Sequence, residues 1–336
     1  MDYDKLRAEL DCHRPLIFFH DDPDGLASFL LLYRYLKEGK GIVVKSHPSI
    51  NMKFVKKVEE FQPDKIFILD LAVVEDEFLE AVKTPIVWID HHEPQKPRGT
   101  HYYNPRASSG NLPASLVCYE TVKQDLWIAA VGIVGDWFYH PLLKKFSESC
   151  PDLLPPDLRS PPQILFETPV GKLARIFSFI LKGTTIDAMK CVKILTRVED
   201  PREILDKSSA RGKFIFKRAE MTNKEYEWLL QHAMTNVSED PFLIYVYPGS
   251  KMSFTGDLSN ELLYRFPDKI ILVGRDKSGE VKCSVRAKQK ILPAVQKALA
   301  NVRGYGGGHE HACGVVVTTE DFPKFLEDFR QASKGL

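Results

Sequence analysis

Two kinds of apolar spacing alternate over residues 16–92. Leu16-Ile17-Phe18-Phe19, Ile42-Val43-Val44, Ile66-Phe67-Ile68-Leu69 and Ile86-Val87-Trp88-Ile89 are short unbroken apolar runs, the pattern of strands buried on both faces. Between them, Leu26, Phe29, Leu30 and Tyr33, then Phe54, Val55, Val58 and Phe61, then Phe78, Leu79 and Val82 recur at helical spacing. This alternation predicts an α/β fold, a parallel sheet with helices on both faces. In open sheets of that class, ligands bind beyond the carboxyl ends of the strands. Three of the four runs stop there at acids or imidazoles: the first at His20-Asp21-Asp22-Pro23-Asp24-Gly25, the third at Asp70, the fourth at Asp90-His91-His92. A further acid, Asp136, closes the apolar segment Gly132-Ile133-Val134-Gly135, read as the end of a buried helix.

The pattern then changes. Asn104 to Asn111, with Arg106, Ser108, Ser109 and Gly110, reads as a polar loop near the sheet edge, either an ordinary surface loop or one that touches phosphate. Cys150 to Pro162 carries five prolines and reads as an irregular exposed connection. Phe166 to Leu181 returns to helical periodicity, and 182–232 is polar and mostly helical. There Lys207, Arg211, Lys213, Lys217 and Arg218 interleave with Phe214, Ile215 and Phe216, which suits a solvated connecting helix or a grip on a single nucleic-acid strand. A second β pattern starts at Phe242–Tyr247. It continues with a helix over Asp257–Phe266, strands over Lys269–Val273 and Val281–Arg286, and a helix over Ile291–Val302. Gly304 to Gly314 follows, with Gly306-Gly307-Gly308-His309 at its centre. A glycine triplet is either a flexible loop or, with His309 after it and Arg286 on a nearby strand, a phosphate pocket of backbone amides. The expected organisation is a first domain over 1–185 carrying the acids and histidines, a helical linker over 186–235, and a smaller mixed α/β domain over 236–336, with a cleft between the two domains.

Composition narrows the function classes. A formal net charge of +1 gives no global pull toward nucleic acid or membrane, so any nucleic-acid site must be a local patch. The 6 cysteines are scattered without a C-x-x-C pair, which argues against a zinc ribbon or a disulfide framework and suits a reducing cytoplasm. The charged first residues carry no signal-peptide pattern, and the longest apolar stretch, Leu126 to Val134, falls short of the ~20 residues of a membrane span.

An acid at a strand end is often a helix N-cap, which fits Asp24 and Asp70 taken singly; Asp136 taken singly caps a turn. That account leaves out His20, Asp22, His91 and His92. Carboxylates and imidazoles converging without a Lys or Arg repel one another unless a divalent cation binds. The mixed donor set suits manganese, iron or zinc better than calcium. More than four ligands suggests two ions, the arrangement that hydrolyses phosphate esters at a separation of about 3.5–4 Å.

His20-Asp21-Asp22-Pro23-Asp24-Gly25 resembles the H-x-D-x-D-G motif of DHH phosphoesterases. Asp70, Asp90-His91-His92 and Gly135-Asp136 are similar to the family's second, third and fourth motifs, in order and spacing. Gly306-Gly307-Gly308-His309 with Ala312 and Gly314 resembles the G-G-G-H-x-x-A-x-G motif of the associated DHHA1 domain, and Ser284-Val285-Arg286 its S-x-R substrate strand. The resemblance covers nearly the whole chain outside the linker and is nearest to the compact RecJ-like branch of archaea. It implies metal ligands at Asp22, Asp24, Asp70, His91 and Asp136, with His20 as a further ligand. Asp90 and His92 would be catalytic groups that orient the ligands or face the substrate, and Arg286, Gly306, Gly307, Gly308 and His309 would hold the substrate. It also implies two Mn2+ ions, with Mg2+ as the alternative, and a cytoplasmic exonuclease or phosphodiesterase acting on single-stranded DNA, RNA or short oligonucleotides. A repair helicase or replication factor would be the protein partner, with no membrane. The rival readings are a cyclic-dinucleotide phosphodiesterase, on the same two domains, and a catalytically silent replication or repair scaffold, against which the complete acid set argues.

Overall fold

The computed structural model describes residues 1–336 except 46–48, 108–109, 250–251 and 336, so Ser108 and Ser109 lie outside the described residues. It divides into two compact units, Met1–Glu220 and Met221–Leu336.

In the first unit, β1 (Pro15–His20), β2 (Lys40–Val44), β3 (Lys65–Leu69), β4 (Ile86–Ile89) and β5 (Thr100–Tyr103) form a parallel sheet in the order β2-β1-β3-β4-β5. Alternate residues explain the unbroken apolar runs. Leu16, Phe18, Ile66, Ile68, Ile86 and Trp88 pack on one face with Val58 and Phe78, from the helices Val55–Phe61 and Asp76–Ala81. Ile17, Phe19, Phe67, Leu69, Val87 and Ile89 are buried on the other face, where Phe19 stacks on Phe29 of α1 (Pro23–Leu36) at 4.6 Å. Behind α1 pack α2 (Ala114–Val122) and α3 (Leu126–Gly135). The register sets the site. One step beyond the paired residues Phe19↔Leu69 and Leu69↔Ile89 come His20, Asp70 and Asp90, so three strands deliver polar groups at one level. The fifth strand escapes the sequence pattern because Thr100-His101-Tyr102-Tyr103 is an edge with exposed positions, not an apolar run.

The proline-rich connection is less irregular than expected. Pro161 and Pro162 open a helix, Pro161–Glu167, where a missing N–H costs nothing, and Leu153 and Leu154 are buried. The polar segment that follows folds as helices Thr185–Leu195, Arg202–Leu205 and Ala210–Met234. Among the described residues no helix is long and apolar enough to cross a membrane.

In the second unit, β6 (Phe242–Pro248), β7 (Ile270–Lys277), β8 (Glu280–Arg286), β9 (Gly304–His309) and β10 (Ala312–Thr318) form a mixed sheet in the order β9-β10-β8-β7-β6. Leu272, Cys283, Val285, Cys313, Val315 and Val317 face a core closed by Val295, Phe325 and Phe329, from the helices Leu292–Leu299 and Phe322–Ala332. The glycine run is not a loop. It is the edge strand β9, paired antiparallel with β10 from Gly304↔Val317 to His309↔Ala312, and of its triplet only Gly308 takes a positive φ, +144°. Glycine carries no side-chain alternation, so periodicity could not reveal a strand that its partner imposes.

Candidate metal centre and anion platform

The centre is built from β1 outward. Asp22 sits in extended backbone and caps α1, its Oδ1 accepting from Gly25 N at 2.8 Å. Gly25 is required by close approach: a Cβ there would meet His20 O at 2.6 Å. Asp24, in the first turn of α1, accepts from Ala114 N at 2.7 Å, from Ser115 N at 3.0 Å and from Ser115 Oγ. These are the first donors of α2, whose own N-cap position, Pro113, offers no capping side chain. Asp24 is thus a cap, but of a helix ninety residues away and not of its own. Asp70 is no cap at all: it turns the chain after β3 in the left-handed region, φ +57°, a conformation that costs a non-glycine residue about 1–3 kcal/mol.

The side chains converge on Asp70. His20 Nδ1 lies 2.8 Å from Asp22 Oδ2 and 3.5 Å from Asp70 Oδ2. His91 Nε2 lies 3.2 Å from Asp70 Oδ1, and its Nδ1 lies 3.7 Å from Asp136 Oδ2 and 3.2 Å from Asn111 Oδ1. Three donor clusters result: His20/Asp22/Asp70, Asp70/His91/His92 and Asp24/His91/Asp136, each with ligand atoms within 4.8 Å of one another. Asp70 and His91 are each shared by two of them. All six expected ligands meet here, and His92 joins them. Asp90, fully buried, holds His92 through Nδ1 at 2.7 Å and takes its backbone N–H at 3.1 Å, so it orients an imidazole instead of entering a donor cluster.

Pattern reasoning missed the residues that hold the ligands. Asn111 belongs to the loop read as ordinary surface or a phosphate contact, yet it contacts the His91 ring, and Arg106 Nε donates to the same Asn111 oxygen at 3.1 Å. Asn104 Nδ2 donates to His92 O at 3.0 Å. Ser115 had no sequence signal, because its partner Asp24 is distant in the chain.

Among the described residues no Lys or Arg pairs with the carboxylates of this centre; the histidines stand in for cations. Burial alone would lower His91, but Asp70 and Asp136 push it up to about 11. His20 is likewise raised against its burial by Asp22 and Asp70, and His92 by Asp90. Asp70 is held well below the carboxylate range, burial notwithstanding, by His20 and His91. Burial and the Asp70 charge push Asp24 up to about 7, and burial raises Asp136. Among the described residues neither Asp70 oxygen meets a hydrogen-bond donor in good geometry; its nearest partners are the His91 and His20 rings, at 3.2 and 3.5 Å. A buried carboxylate in that condition is costly unless a cation coordinates it, so the donor set fits a metal.

The expected substrate residues lie in the second unit. Register places Arg286, Ala312 and His309 in one row across β8, β10 and β9, and Ser284, Gly314 and Gly307 in the next. Arg286 Nε donates to Asn260 Oδ1 at 2.8 Å and Nη1 to Val285 O at 3.0 Å; no acid pairs with it among the described residues, and burial pushes it down to about 10. A half-buried guanidinium with no carboxylate paired to it among the described residues is suited to an anion. Gly306 and Gly308 face the other side, where a Cβ would meet Gly314 O at 2.5 Å and Cys313 Cα at 3.0 Å respectively.

The basic segment 207–218 is more structural than its composition suggested. Arg211 and Arg218 bond to backbone carbonyls, Ile215 is buried, and Phe216 lies under Lys172 and Lys207 at 5.2 and 4.5 Å.

Comparison with known proteins agrees with this anatomy. The model of the DHH family, N-terminal domain, matches residues 14–148 and that of the DHHA1 domain matches residues 240–335. No curated protein matches the sequence. Among solved structures, RecJ from Thermus thermophilus in complex with Mn2+ superposes with a TM-score of 0.74 at 16% identity, over 99% of this chain and 55% of that one; the chain thus spans about half the length of that relative. A DHH domain described as belonging to a family of ribosomal proteins gives 0.70 at 16% identity, over 99% and 90% of the two chains. An exonuclease RecJ bound to manganese gives 0.64 at 16% identity, over 100% and 95%. With both domain models matched in order across more than half of its length, the chain belongs to the DHH/DHHA1 family.

Proposed function

We propose that this protein is a manganese-dependent phosphodiesterase that shortens single-stranded DNA, RNA or short oligonucleotides stepwise from one end. The observation that carries this reading is the buried Asp70 carboxylate, shared by two donor clusters and, among the described residues, faced by imidazoles with no Lys or Arg paired to it. His20, Asp22, Asp24, Asp70, His91 and Asp136 would hold two ions, Mn2+ or Mg2+, which when bound lower the pKa of water and neutralise phosphoryl charge.

The chain's own residues supply the rest. Asp24 and Asp70 enter as carboxylates, fixed respectively by the amide donors of α2 and by the tight turn after β3. Asp90 engages Nδ1 of His92, which leaves Nε2 as the atom able to pass a proton to a departing oxygen; the Asp90 carboxylate raises His92 and so favours the protonated ring. Arg286 and the amides of Gly306 to Gly308 hold a phosphate away from the reacting bond, with His309 in the same row.

End-labelled single-stranded DNA, RNA and a cyclic dinucleotide, incubated with Mn2+, test the reading. A ladder of progressively shortened linear products, with duplex resistant, supports it. Internal cutting of circular single strands would exclude end-directed action. Faster hydrolysis of the cyclic dinucleotide would assign the site to that substrate, and inertness toward all three would make the protein a scaffold.

A further inference from the structure

We propose that Tyr305 is the base-stacking residue of the second unit, receiving the base next to the phosphate that Arg286 holds; this rests on the oligonucleotide reading above. Side chains alternate along a strand, so Tyr305, Gly307 and His309 share one face of β9. Pairing carries that face inward: Tyr305 lies beside Val316 and then Lys282, Gly307 beside Gly314 and Ser284, and His309 beside Ala312 and Arg286.

Between the two outer rows the floor is bare. A Cβ on Gly307 or Gly314 would meet nothing within 4 Å, whereas one on Gly306 would strike its neighbour's backbone. Packing therefore demands glycine at Gly306 and not at Gly307 or Gly314, where a strand glycine only weakens the sheet. A floor left open at that cost fits a flat ligand lying on backbone.

Tyr305 stands at one end of that floor with 60% of its surface exposed. An edge strand can carry such a tyrosine for β propensity alone. What distinguishes this one is its place. It lies four residues from His309, about 13 Å at ~3.3 Å per residue. That span exceeds the reach from a phosphate to its own base, so a phosphate at Arg286 brings the adjacent nucleotide's base to the ring. Every base has a stacking face, so the contact is tolerant of sequence, and it is available only to unpaired strands. Lys282 lies in the same row as Tyr305, two strands in from the edge.

The test is steady-state hydrolysis, with Mn2+, of a short oligothymidylate and of versions in which one residue at a time is abasic. Tyr305→Ala should lower kcat/KM on the intact oligomer by roughly 5- to 150-fold, the range of one lost base stack. Tyr305→Phe should retain the wild-type value. In the wild type one abasic position should reproduce the loss, and in Tyr305→Ala that same position should cost nothing further. A small chromogenic phosphodiester should be hydrolysed equally by all three proteins. Wild-type rates in Tyr305→Ala, or an abasic penalty undiminished in it, overturn the assignment while leaving the phosphodiesterase reading intact. Failure of the wild type to cleave any oligomer overturns both.

Discussion

Metal binding to this centre should be strongly proton-linked, and the size of the effect follows from the histidines. Metal ligation needs neutral imidazole and ionised carboxylate. With His91 pushed up to about 11 by Asp70 and Asp136, only about one metal-free molecule in 10^4 has that ring neutral at pH 7. The intrinsic affinity of the site is reduced by the same factor, and each unit of pH restores about tenfold for each proton displaced. His20 is raised in the same direction, and Asp24 at about 7 adds part of a further proton below neutrality. The apparent affinity for Mn2+ should therefore rise at least about tenfold for each pH unit between 6 and 8, with one or more protons released per protein. Calorimetric titration in two buffers of different ionisation enthalpy counts those protons directly. Uptake of metal with no proton release, or a pH-independent affinity, would refute the account of the histidines as the centre's cations.

The same shifts give the metal-free protein an inverted stability profile. A histidine raised from its ordinary value to about 11 stabilises the fold fully below about pH 6.5, and that contribution is lost as pH climbs toward 11. Asp24, raised to about 7, stabilises less as pH rises from about 4 to 7. Asp70 is depressed, so its contribution is already complete above about pH 4 and changes nothing in this window. Melting temperature should fall with pH between 6 and 9 in chelator and, because metal displaces the same protons, stay nearly level above about pH 7 in saturating Mn2+.

Four substitutions divide the labour of the centre. Asp70→Ala should abolish turnover with Mn2+ present, and full activity in this variant or in chelator would remove the metal mechanism. Asp24→Ala should also lower the stability of the metal-free protein by about 0.5–2 kcal/mol, the value of a helix cap, since it strips the donors of α2; denaturant unfolding in chelator measures this. Asn111→Ala should weaken Mn2+ binding about 10- to 100-fold by releasing the His91 ring, with the fold unchanged by circular dichroism. Arg286→Ala should cost about 10–100-fold in oligonucleotide cleavage and leave a small chromogenic phosphodiester untouched, and equal losses on both would place Arg286 in folding or at the metals.

How much of this was legible depends on whether a residue's partner is local. Strands buried on both faces must be apolar throughout, so β1 to β4 announce themselves, and the register of a parallel sheet then brings His20, Asp70 and Asp90 to one level without further information. Asp22 caps α1 through an amide three residues away, although the capping reading of the sequence falls on Asp24 and Asp70 and leaves Asp22 out. Asp24 invites the same reading and does otherwise, because its donors are at Ala114 and Ser115. No local pattern encodes that bond, nor the one from Asn111 to His91, nor the edge strand β9, whose glycines pair only because β10 presents a complementary ladder.

Asp24 shows why the illegible part matters for chemistry. Both of its oxygens accept amide protons from α2, and burial together with neighbouring carboxylates still raises it to about 7. Two backbone donors alone normally hold a carboxylate below its ordinary pKa. The repulsion from Asp70 and the loss of water therefore outweigh those bonds, and Asp24 remains a group whose charge is costly until a cation arrives. A cap that is also a metal ligand couples the position of α2 to metal occupancy. Loading the centre should accordingly increase hydrogen-exchange protection at the amides of Ala114 and Ser115 more than at Thr121 or Val122, at the far end of the same helix. Uniform protection along α2 would mean that Asp24 acts as a cap alone.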